Sequence, residues 1–505
     1  MVCLSDPHNE SEDNMLDQPD LPKDDLNHSV LLDVHTHSDY PEVNVFVNEI
    51  HSAHFSDPFT GAKKKNLKVV LLHLFVAWSE DSSLYTAVSF NKNDYKAGSR
   101  YNSLHISEKI ITIIKKMDEL GLIELHLGFK DWRPGGHSRV TRIRPLQKLI
   151  SHFQEATFST LEINTHEDRE SVILKVGRRK DSKKVGYEDT EESVRMRAFL
   201  REYNQLLQNN HIDCCSLDKP YETRWDTKSK RHRKVIRIND QNKFTLRSFA
   251  RGSWSNGGRF YGGWWQNISR ELRPDIRING ERTIEIDFSG THITFLYAEK
   301  GINYFSEIDD DPYDIPIREI NDPEKCRWLV KQLFLNAINA KTPEKAFQAV
   351  MEKANKNKSE APQIRLTFEF LERILDQIKQ KHPLIAEDLC SDRGVSLMFY
   401  EGQITERVLQ HFMNKGVVAL SIHDSYVVPE SYSDELREVM NQAWAVVLRF
   451  IPDDPERALA ALYTPYTKTK QIGYTDELLS NAEQCESPRY QQSLRLFSEW
   501  KGRER

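Results

Sequence analysis

The amino-acid sequence predicts an α/β fold of the α+β multidomain kind, and three observations lead there. A chain of 505 residues has length for roughly two to four domains. An apolar stripe at helical spacing (Ile110, Ile111, Ile113, Ile114, Met117, Leu120) marks a core-facing helix over Ser107–Leu120, with Gly121 at its stop position. Two short β-type stretches, Thr283–Ser289 and Val417–Val428, each interrupt an apolar run to present one aspartate, Asp287 and Asp424.

Composition narrows the class. Hydrophobic residues make up 38% of the chain and the mean hydropathy is −0.63. No apolar run approaches the ~20 residues that cross a bilayer, so no membrane partner is expected. Residues before about 28 are acidic and lack an apolar signal core, which fits a disordered tail and neither secretion nor organelle import. The six cysteines are scattered without metal-ligand spacing, and a reducing cytoplasm is the expected setting. The net charge of −6 averages over uneven patches. Lys63-Lys64-Lys65 and the run Lys228–Lys234 fit either a grip on a phosphate backbone or ordinary solvated loops.

Along the chain, Leu67–Ala77 is a predicted helix, followed by the better one at Ser107–Leu120. Then come the strand Leu122–Leu125, a turn with Pro134-Gly135-Gly136, and the basic strand Arg139–Arg144. This order resembles a winged helix, a module that serves DNA binding and protein–protein contact alike. Residues 157–249 mix short strands with a helix near Glu191–Gln208. No solenoid repeat is visible. In Leu32–Asp39, His35 and His37 stand two apart on a strand and resemble the opening motif of the PHP phosphoesterases; a plain polar strand fits the same residues.

The chemistry concentrates beyond residue 250. Gly257-Gly258-Arg259 precedes Gln266-Asn267, then Asp287-Phe288-Ser289, then Arg327 and Lys331 four apart with Asn339-Ala340 beyond, and finally His423-Asp424-Ser425. Singly, each has a structural explanation. Asp287 fits a helix cap, Asp424 a hairpin turn, and Arg327 with Lys331 a solvated helix face. Gln266, Asn267 and His423 each fit local structure as well. Together and in this order, the five elements resemble the palm and fingers of family A DNA polymerases and the related single-subunit phage-type RNA polymerases, over the C-terminal half only.

That resemblance implies a right-hand palm with reduced fingers, over about Asn321–Ser396, and a two-metal reaction with Mg2+. Asp287, the Phe288 carbonyl and Asp424 would hold the ions, and Lys331 would protonate the leaving pyrophosphate. Arg327, Lys331, His292 and Asn339 would surround the incoming nucleotide; Arg259, Gln266, Asn267 and His423 would touch primer or template. The partners implied are a primer-template, dNTP or NTP, and other replication proteins. The domains expected are an acidic tail (1–30), a winged-helix-like domain (31–150), a thumb-like clamping region (151–250), palm and fingers (251–474) and a helical tail (475–505).

The chain also departs from the family pattern. His292 stands where DNA-copying members place a glutamate that excludes a ribose 2′-hydroxyl, and Ser425 gives the His-Asp-Ser form of the RNA polymerases. Leu335 and Asn339-Ala340 replace the aromatic and Tyr-Gly positions of the fingers helix, which removes a ring that stacks near the base. Glu401-Gly402 and Glu406 occupy places of a Gln-Gly and an Asp, and are secondary candidates. No Asp-x-Glu exonuclease constellation is visible, so proofreading is not expected. DNA synthesis is the leading expectation, with primase-like or RNA-synthesising activity, or a non-catalytic replication initiator, as the alternatives.

Overall fold

Apolar spacing decides where the helices form. The computed structural model describes residues 25–56, 58, 60–131, 133, 138–178, 181–225, 233–451, 466–472 and 486–503. They form two units: residues up to 97, 104–163 and 223–235 in one, and 98–103, 164–222 and 236 onward in the other. The acidic tail before residue 25, the Pro134-Gly135-Gly136 turn and residues 228–232 of the basic run lie outside the described residues.

The first unit contains β1 (Ser29–Leu31), α1 (Pro41–His54), α2 (Gly61–Glu80), β2 (Tyr85–Val88), α3 (Lys109–Glu119), β3 (Ile123–His126), β4 (Thr141–Pro145) and α4 (Gln147–Gln154). Helix α2 opens at Thr60, whose side chain accepts from the Lys63 amide. It is buried on all sides over 66–77, as a helix without a polar face must be. On α3 the isoleucine stripe faces the same core, and Gly121 closes the helix at φ +67° with the Leu122 amide on the Met117 carbonyl. The sheet runs β1-β2-β4-β3, with β1 parallel to β2 and the other pairs antiparallel. His37 bonds Asp39 at 2.8 Å, and no group of three or more metal-ligating side chains occurs among the described residues.

The second unit has two sheets. In chain order its elements are β5 (Val172–Val176), β6 (Lys183–Lys184), α5 (Glu191–Gln208), β7 (Ile212–Cys214), β8 (Leu246–Ala250), β9 (Ser253–Tyr261), β10 (Ile276–Ile278) and β11 (Glu281–Phe288). There follow α6 (Thr291–Ala298), α7 (Pro323–Asn339), α8 (Pro343–Lys356), α9 (Phe368–Lys381) and α10 (Gly394–Asn414). The last are β12 (Leu420–Ile422), β13 (Ser425–Pro429), α11 (Ser433–Val447), β14 (Thr469–Gln471) and α12 (Pro488–Arg503). One sheet runs β9-β8-β5-β6; the other runs β12-β13-β11-β10-β7, with β14 also on β11. No helix among the described residues is long and apolar enough to cross a membrane.

Strand β11 shows how this arrangement forms. Its period of two puts Ile284, Ile286 and Phe288 on one face, and Phe288 packs 4.9 Å from the Trp444 ring of α11. Glu285 and Asp287 fall on the other face. Helix α10 crosses β9 at very close range, because a Cβ on Gly402 would lie 2.2 Å from the Gly258 carbonyl oxygen. Only glycine permits that approach, and it seats Glu401 beside Arg259.

Candidate active site

Two carboxylates arrive on adjacent antiparallel strands. Asp287 lies near the end of β11 and pairs across with Ser425 of β13, so Asp424 is one residue from its register partner. Asp424 occupies the turn between β12 and β13, where His423 takes the left-handed φ of +59° normally left to glycine. Strain of that kind costs on the order of 1–3 kcal/mol and persists where surrounding structure enforces it. The restraints are visible: the Phe288 amide donates to the Asp424 carbonyl at 3.2 Å, and Thr291 at the start of α6 donates to its carboxylate at 3.1 Å.

The electrostatics follow from this convergence. Burial, reinforced by the charge of Asp424, pushes the Asp287 carboxyl up to about 6, against the pull of Lys470. Lys470 stands opposite Asp287 on β14 with its ammonium 3.3 Å from the carboxylate. The His423 ring sits edge-on to Tyr261 at 6.3 Å, and burial with the nearby Arg259 charge holds its pKa below the usual value.

Below this edge, Glu401 binds two groups. Its carboxylate accepts from Arg259 and lies 2.8 Å from the His292 ring. Burial opposes its ionisation, but His292 and Arg259 together hold it down to about 2. Glu406, about one turn further along α10, pairs in the same manner with Arg247 and Arg195.

On α7, Arg327 and Lys331 share one face over the Tyr313 ring, 5.4 and 5.9 Å from its centre. Arg327 is engaged by Asp311, at 2.5 and 3.2 Å. Lys331 has no ion pair among the described residues, and its pKa is lowered by burial, then by Lys470 and Arg327. Asn339 lies about 12 Å further along the helix axis. Its amide donates to the Leu335 carbonyl, and its oxygen fills the space a Cβ on Gly394 would take. Gln266 spends its side chain on the main chain: it donates to Ser421 and Phe260 carbonyls at 2.9 and 3.1 Å and accepts from Gly262. Asn267 is exposed. Phe288 is buried and offers only its carbonyl.

Two side chains here escaped the sequence pattern. Glu285 is fully buried, and one of its oxygens accepts from Ser425 at 2.6 Å and from Arg273 at 3.1 Å; the other has no hydrogen-bond partner among the described residues. The Ser425 hydroxyl therefore anchors the aspartate turn to β11. Its removal in Ser425→Ala is expected to cost about 1–3 kcal/mol, because the buried carboxylate loses one of its two donors and keeps only Arg273; urea denaturation measures it. The signal for Glu285 was its place two residues before Asp287, on the same strand face. For Lys470 the alternation Thr467-Lys468-Thr469-Lys470 fits a short strand but carries no sign of its neighbour.

No family model and no curated protein matches this chain. Among solved structures it is similar to the POL domain of Pol1 from M. smegmatis, solved in complex with DNA primer-template and dNTP. The identity is 13% and the TM-score 0.26, over 55% of this chain and 51% of that one. A likeness of that size does not decide the fold. The local chemistry of Asp287, Asp424 and their neighbours stands on its own geometry.

Proposed function

We propose that this chain is a template-directed nucleotidyltransferase, a DNA polymerase of family A type that extends a primer 3′ end. The observation that carries the proposal is the delivery of Asp287 and Asp424 to one sheet edge by neighbouring strands, with Lys331 close enough to feel both charges. In this assignment the β11–β13 sheet is the palm, α7–α9 are reduced fingers, residues 151–250 clamp nucleic acid, and residues 31–150 are a winged-helix-like module. The strand–helix arrangement of α3, β3 and β4 supports that last assignment.

The donor set suits Mg2+. It offers two hard carboxylates and the Phe288 carbonyl, and magnesium takes oxygen ligands while keeping several waters. Burial first, and then the neighbouring Asp424 charge, raise the Asp287 pKa, and a divalent cation held between the two carboxylates would offset both. When bound, two such ions activate the primer hydroxyl and stabilise the leaving oxygen. The chain's own residues do the rest. Thr291 and the Phe288 amide fix the position of Asp424, and Lys331 neutralises charge building on the leaving phosphates. Its lowered pKa suits a proton donor at that oxygen. Arg259, held by Glu401, lies close enough to His423 to lower its pKa and close enough to Asp424 to feel its charge, and would face the primer end.

A second possibility, RNA synthesis or priming, is favoured by Ser425 and by His292, whose ring is turned onto Glu401. Replication of a mobile element, plasmid or phage-like genome in the cytoplasm, with other replication proteins, is the biological setting proposed.

The deciding experiment supplies dNTPs and NTPs separately, with and without a labelled primer, on a template with Mg2+. Extension of the primer by the wild-type chain is expected. Asp424→Ala should reduce it by about 10³-fold or more, the loss that accompanies several kcal/mol of metal-borne stabilisation, while duplex binding persists. Synthesis from NTPs alone would install the RNA-synthesising alternative. Tight duplex binding with no synthesis from either nucleotide would install the non-catalytic initiator.

A further inference from the structure

Strand β14 brings a cation to the carboxylate edge from the side opposite β13. Its register sets Lys470 directly across from Asp287, and the Lys470 ammonium stands 3.3 Å from the Asp287 carboxylate. The two partners differ in exposure, 58% for the lysine against 17% for the aspartate. A long, exposed lysine can leave such a pair at little cost, since exposed ion pairs are weak. Asp287 cannot move with it, because it is fixed in a strand paired on both sides.

The surroundings say where the ammonium would go. Lys331 approaches the same carboxylates from α7 and has no ion pair among the described residues. Arg327 is committed to Asp311, and Lys468, the other lysine of this stretch, is committed to Asp309. Lys331 and Lys470 are thus two ammonium groups near enough to repel each other. A polyphosphate has the charge and the spread of oxygens to satisfy both.

We infer that Lys470 is an exchangeable counter-ion: it neutralises Asp287 until a divalent cation takes that carboxylate, and then joins Lys331 in holding a nucleotide's triphosphate. This rests on the two-metal reading proposed above and adds a residue to it. Lys470 would be a positioning residue toward the metal and a binding residue toward the phosphates, so its loss should move two affinities in opposite directions.

The test uses the full chain, with Mn2+ binding followed by electron paramagnetic resonance and inorganic tripolyphosphate binding followed by calorimetry in the presence of Mn2+. Lys470→Ala is expected to bind Mn2+ alone roughly fivefold tighter and tripolyphosphate roughly fivefold weaker, each about the worth of one exposed charge pair. Lys470→Arg should restore tripolyphosphate binding to within about twofold, because a guanidinium also bonds phosphate. Both affinities unchanged in Lys470→Ala, or both weakened together, would overturn the inference while wild-type Mn2+ binding and primer extension left the polymerase reading intact. A wild-type chain that binds no Mn2+ would remove both.

Discussion

Asparagine at position 287 is expected to give a protein that melts higher and extends no primer. The Asp287 carboxyl is raised from 3.8 to about 6, first by burial and then by Asp424. A carboxyl so raised carries a penalty of up to about 3 kcal/mol when ionised. The sign follows from proton counting. Between pH 3.8 and about 6 the folded state binds more protons than the unfolded state, so stability falls as pH rises through that window, and the whole penalty is present at pH 7. Asn removes the charge and keeps the shape, and the pair it forfeits is with an exposed lysine, Lys470. Asp287→Asn should therefore gain roughly 1–3 kcal/mol at pH 7. Its primer extension should fall by about 10³-fold or more. Millimolar Mg2+ should raise the melting temperature of the wild-type chain and leave that of the variant unmoved. Thermal melts at pH 7 and pH 5, with and without Mg2+, distinguish the cases. A destabilised variant, together with a wild-type melt indifferent to Mg2+, would mark Asp287 as a structural cap of α6.

The residues that define this edge were legible because their signals are local. The strand leading to Asp287, the turn at His423-Asp424 and the four-residue spacing of Arg327 and Lys331 are set by periods of two and of about 3.6. What stayed hidden depends on partners far along the chain. Glu285 reads as the solvent side of a half-buried strand, and only the packing of Arg273 and Ser425 over it shows a buried acid. Gln266 carries the look of a template contact, yet its amide braces β12 against the end of β9. The oxygen of Asn339 meets Gly394, 55 residues later in the sequence. Strand β14 has three residues and no apolar alternation, so nothing in its own sequence announces that it lies beside Asp287.

Loss of Glu401 is expected to destabilise the second unit by several kcal/mol. Its carboxylate is nearly inaccessible and serves as acceptor for both Arg259 and His292. Cutting it back to alanine leaves the mostly buried Arg259 charge without its partner, a change that typically costs 3–5 kcal/mol. Acid should reproduce part of this in the wild-type chain. The folded carboxyl titrates at about 2 against 4.5 for the free group, so the unfolded state binds more protons in that window. The contribution, about 3 kcal/mol, is complete above pH 4.5 and is lost as pH falls toward 2. Urea denaturation of wild type and Glu401→Gln should then show a gap that is constant from pH 7 to about 5 and closes below it. A gap independent of pH would mean that shape, not charge, is what position 401 supplies. The consequence reaches the carboxylate edge, because Arg259 is close enough to Asp424 to feel its charge. Released from Glu401, this guanidinium still feels the Asp424 charge and would contend with a metal for it. Glu401→Ala should accordingly weaken Mn2+ binding, and adding Arg259→Ala should recover it, an outcome that simple loosening of the fold could not give.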